Sequence, residues 1–78
     1  MNAGTVATWA AQNGFKSLDA WIYRRHDDNR RLTLEIKRMS VVLIEERAGA
    51  RPRVTSRLFK DMRFNGESGK LEGLLATG

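Results

Sequence analysis

Eight large apolar side chains lie between Leu32 and Ile44, and any fold the chain adopts must bury most of them. On a helix at 100° per residue, Leu32, Ile36, Met39 and Leu43 fall within about 60° of one another. Leu34, Val41 and Ile44 then form a second apolar face. As a strand, Leu32, Leu34 and Ile36 alternate with Thr33 and Glu35, and residues 41–44 are rich in β-branched side chains. A hairpin would have to turn at Lys37-Arg38-Met39-Ser40, which contains no Gly, Asn, Asp or Pro. The missing turn signal favours one long helix over residues 30–48, capped at Asp28 or Asn29 and stopped at Gly49. A helix apolar on two sides must be covered twice. One face is expected to pack on the other helices, and the second, Leu34, Val41 and Ile44, to form a homodimer interface.

Turn-forming residues at Asn13-Gly14, Asp27-Asp28-Asn29, Gly49 to Pro52 and Asn65-Gly66 to Gly69 divide the rest. Residues 5–12 read as a short helix with Val6, Trp9 and Ala10 on one face, Thr5 as N-cap and Gly14 as the residue that stops it. From Ser17 a second helix is expected, with Leu18, Trp21 and Ile22 at i, i+3, i+4 and Arg24, Arg25 and His26 in its last turn. Both tryptophans are assigned to the core. Residues 53–64 read as an amphipathic helix. Arg53, Arg57, Lys60 and Arg63 span an arc of about 120°, opposite Val54, Leu58, Phe59 and Met62. A strand there would mix polar and apolar residues on both faces. Residues 65–78 read as a Gly-rich flexible tail in which Leu71, Leu74 and Leu75 form one closing turn. The expected fold is a single compact all-α domain of about four helices. Its N-terminal helical hairpin, residues 5–28, has the dimensions of a helix-turn-helix; an α+β fold with a central hairpin is the alternative.

The chain's whole net charge sits in one stretch. Residues 47–63 hold six basic side chains and one acid, whereas the other 61 residues carry eight of each and are neutral. Charge gathered in this way makes a local positive field. Ten of the fourteen basic residues are arginine, whose guanidinium grips phosphate and carboxylate with two parallel bonds. The chain has no cysteine, which removes disulfides and cysteine-based zinc sites. His26, Asp27 and Asp28 are a poor ligand set for a metal, no glycine-rich phosphate loop is present, and no nucleophile has a base beside it. The expectation is therefore a non-enzyme without cofactor or metal. The N-terminus lacks a secretory pattern, and the longest apolar run, residues 41–44, falls far short of the roughly 20 residues that span a bilayer. A cytoplasmic protein with no membrane partner follows.

A basic, arginine-rich domain of this kind is expected to bind nucleic acid, DNA before RNA, as a small homodimeric regulator of bacterial, phage or plasmid origin. Arg53, Arg57, Lys60 and Arg63 would neutralise phosphates, with Arg24, Arg25 and Lys16 as secondary contacts. The alternative is a small inhibitor or adaptor of the phage anti-host or anti-CRISPR type, docking the same arginines on an acidic or nucleic-acid-handling host protein.

Overall fold

The computed structural model describes residues 2–65 and 70–72, the last three by their backbone alone. One helix, α1 (Ala3–Gln12), leads into strands β1 (Lys16–Asp19), β2 (Ile22–His26), β3 (Arg30–Ile36), β4 (Ser40–Arg47) and β5 (Arg53–Leu58). These strands form one antiparallel sheet in the order β1-β2-β3-β4-β5, each paired with its sequence neighbour. A 3-10 turn (Phe59–Asp61) and a small ribbon of β6 (Arg63–Asn65) with β7 (Lys70–Glu72) follow. The expected all-α bundle is overturned, and the helix-turn-helix with it.

The first helix forms as its sequence implies, but begins earlier. Asn2, not Thr5, is the N-cap, its Oδ1 accepting from the Thr5 amide at 2.9 Å. At the other end the Phe15 amide reaches back to the Ala10 carbonyl at 3.0 Å, across Gly14 at φ 84°. That left-handed turn is a glycine's place. It swings Phe15 under the helix, where its ring meets Trp9 at a centroid separation of 5.8 Å.

The second expected helix is the β1–β2 hairpin instead. Trp21 stands at its turn, 55% exposed, so only Trp9 belongs to the core. The central segment, residues 30–47, is the hairpin weighed as its alternative, with Leu34 opposite Leu43 and Ile36 opposite Val41. Its turn is closed by the Lys37 amide on the Ser40 carbonyl at 2.8 Å. Among the described residues no non-glycine has a positive φ. The Arg38-Met39 turn therefore needs no Gly or Asn, which is why composition gave no sign of it. The expected basic helix over residues 53–64 is strand β5 and the 3-10 turn. Val54 and Leu58 alternate with Arg53 and Arg57 because β5 is an edge strand, wet on both sides. Of the expected tail, Leu71 lies in β7, while Leu74 and Leu75 fall outside the described residues.

The pairing registers give the sheet two distinct sides. Directly opposite residues share a side, so Tyr23, Leu34, Leu43 and Thr55 make one row beneath the helix, and Arg25, Leu32, Glu45 and Arg53 the next. Val6, Trp9, Ala10 and Phe15 cover this side, and Phe59 and Met62 close it. Leu34 and Val41 are fully buried there, so they form the core and not a dimer face. Alternation carries Ile44 to the opposite, open side, where it is half-buried beside Val42, Thr33 and Val54.

Candidate anion-binding site

The β2–β3 and β4–β5 turns emerge at the same end of the sheet, and the helix-facing residues there are nearly all charged. Arg25 lies flat against the core, its guanidinium carbon 5.0 Å from the Phe15 ring centroid. It donates to Asp27 at 3.0 and 3.2 Å and to the Asn13 carbonyl at 3.1 Å. Asp27 also receives Arg30 at 2.9 Å, and Arg30 extends to Glu45 at 3.3 Å. Arg47 reaches the other oxygen of Glu45, again at 3.3 Å. Arg30 and Arg47 are directly opposed in the ladder, an arrangement that Glu45 between them makes tolerable.

Beyond Arg47 the chain turns through Gly49, whose φ of 77° suits glycine, and the Ala50 amide closes the turn on the Arg47 carbonyl at 3.2 Å. Arg51 and Arg53 follow. With Arg30, Glu45, Arg47 and Ala50 they line a recess of about 290 Å³. Four guanidiniums thus surround one carboxylate that already serves two of them. Arg51 and Arg53 have no carboxylate partner among the described residues. Such a recess presents several donors in fixed forks to an entering anion.

The expected contact residues are dispersed. Arg53 and Arg57 lie on the helix-facing side of β5, four residues apart and so about 13 Å along the strand. Lys60 follows in the 3-10 turn and Arg63 in β6, both exposed. No continuous four-cation stripe results. Lys16 and Arg24 oppose each other on the open side, where Arg24 donates to the Thr33 hydroxyl at 3.3 Å. Arg25 points to the other side and is held by Asp27. Arg30, Arg47 and Arg51, which are not among the expected contacts, complete the recess. The arginine-rich turn from Arg47 through Gly49 to Arg53 marks Arg47 and Arg51 in the sequence, whereas Arg30 is brought in by the pairing of β3 with β4. Among the described residues no group of three or more His, Asp or Glu side chains is placed to hold a metal, and no helix is long and apolar enough to cross a membrane.

Two carboxylates are held below their usual range. Hydrogen bonds from Arg30 and then Arg25 lower Asp27, and the hydrogen bond from Arg31 lowers Glu46 on the open side. A carboxylate lowered in the folded state contributes stability that is complete above its unfolded value and is lost as pH falls through the folded one. Thermal melts are therefore expected to be level from pH 7 to 5 and to drop between pH 4 and 2. A transition temperature that rose over that acid interval would contradict these ion pairs. No family model, curated protein sequence or solved structure matches this chain.

Proposed function

We propose that this protein is a non-enzymatic binder of polyanions whose ligand is the phosphate backbone of nucleic acid, duplex DNA first. The observation that carries this reading is the excess of arginine over carboxylate in the recess, with Arg51 and Arg53 lacking a carboxylate partner among the described residues beside the Glu45-anchored Arg47. Backbone phosphates release condensed counterions when arginine replaces them, which makes the affinity fall with salt. Contacts of this type position a ligand without reading its sequence. Arg24 and Lys16, on the other side of the sheet, are not part of this contact.

Anisotropy with a labelled random-sequence duplex tests the reading. Three contacts, from Arg47, Arg51 and Arg53, give a log–log salt slope of about −2.7 at −0.9 per phosphate. Affinity should then drop about fortyfold between 50 and 200 mM salt. No binding at 50 mM, or binding indifferent to salt, would sink the proposal. Binding confined to an acidic protein probe would favour the host-protein alternative.

A further inference from the structure

Strand β5 has a neighbour on one side only among the described residues, and its free rim has a definite chemistry. The Phe59 amide donates to the Met39 carbonyl at 2.9 Å, extending the β4–β5 ladder by one hydrogen-bonded pair. In an antiparallel ladder such pairs alternate, so Arg53, Thr55 and Arg57 turn their backbone groups toward β4. The N–H and C=O groups of Val54, Ser56 and Leu58 therefore point outward. The Arg57 guanidinium reaching the Ser56 carbonyl at 2.9 Å agrees with that direction. On the open side of the sheet Val54 is 63% exposed and Leu58 44%. No proline or bulge interrupts the strand. Of the charges that commonly guard an edge, β5 carries Arg53 and Arg57, both on the helix-facing side, and its open side has none.

We propose that β5 pairs antiparallel with β5 of a second copy of this chain, about a two-fold axis at Ser56, making one continuous sheet. This register sets Val54 against the partner's Leu58, Ser56 against the partner's Ser56, and Leu58 against the partner's Val54. All three are pairs of outward-pointing residues, each exchanging two backbone bonds. The exposed valine and leucine cover each other on the open side, beside Val42 and Ile44. Charge selects the same register. An axis at Thr55 would set Arg53 against the partner's Arg57, whereas the axis at Ser56 sets Arg57 against the partner's Thr55. Arg57 and the partner's Arg57 then stand diagonally, roughly 7–8 Å apart at Cα. The pairing is independent of the nucleic-acid reading.

The chain has no cysteine, so single-cysteine variants report the register directly. A hydrogen-bonded pair spans about 5.5 Å between Cα atoms, inside the range of a disulfide. Under mild oxidation without any nucleic acid present, Ser56→Cys should cross-link several-fold more than Thr55→Cys or Val54→Cys. Ser56→Pro removes only a rim N–H, which an edge strand tolerates. In 0.5 M NaCl sedimentation should find the unmodified chain at twice its 8.9 kDa monomer mass and Ser56→Pro at the monomer mass, with the same circular dichroism. Equal, low cross-linking at all three positions overturns the proposal, as does preferential cross-linking of Thr55→Cys. So does a dimer that survives Ser56→Pro and is dissolved by Ile44→Lys, which would mean packing of the open faces.

Discussion

Leu34→Ala is expected to destabilise the protein by about 2–5 kcal/mol, because a fully buried leucine leaves both its transfer energy and a cavity behind. At about 0.05–0.15 kcal/mol per residue a chain this short has roughly 4–12 kcal/mol in all, so this one change removes a large share of it. Leu34 sits at the centre of the covered side, between Tyr23 and Leu43 in the ladder. Trp21→Ala, by contrast, removes a larger side chain and should cost about 1 kcal/mol or less, since Trp21 stands exposed at the β1–β2 turn. Urea denaturation of the two variants checks the order. A helical packing with Trp21 in the core would reverse it, and that result would contradict the sheet described above.

The same two residues mark what the sequence made legible. Helix α1 could be read because its signals are local: an apolar stripe of Val6, Trp9 and Ala10, and a glycine that ends it. Leu18, Trp21 and Ile22 also have helical spacing, but the spacing is accidental. Ser17 pairs with Tyr23 and Lys16 with Arg24, and no three-residue pattern records a pairing partner. In residues 32–44 both periods fit, and the turn that would separate them, Lys37 to Ser40, contains no recognisable turn residue. Leu34 and Val41 are surplus to one helical face, whereas strand alternation puts them on the covered side with Leu32 and Ile36.

Strand β5 was the least legible element. Arg53, Arg57, Lys60 and Arg63 recur at helical spacing, and Val54, Leu58 and Met62 answer them from the other side. An edge strand exposed on both faces places no constraint on which residues alternate, so helical periodicity can arise there without a helix. The basic stretch is visible in the distribution of charge along the sequence. Which of its arginines converge was not, because that depends on Glu45 and Arg30 arriving from neighbouring strands. The two faces of β2, which separate Arg24 from Arg25, follow from the sheet and not from the run of charge.

The salt dependence of duplex binding by an Arg51→Ala/Arg53→Ala variant tests the central claim most directly. Both side chains are exposed at the recess and neither packs in the core, so folding should be unchanged. Loss of two phosphate contacts should make the log–log slope shallower by about 1.8 and weaken binding on the order of a hundredfold at 50 mM salt. Arg38→Ala/Lys60→Ala removes the same charge from the opposite end of the sheet, at the β3–β4 turn and just beyond β5, and should leave the slope where it was. If the two double variants lose affinity equally, binding follows net charge and not the recess. If the Arg51/Arg53 variant keeps the full slope, the recess is not the phosphate site.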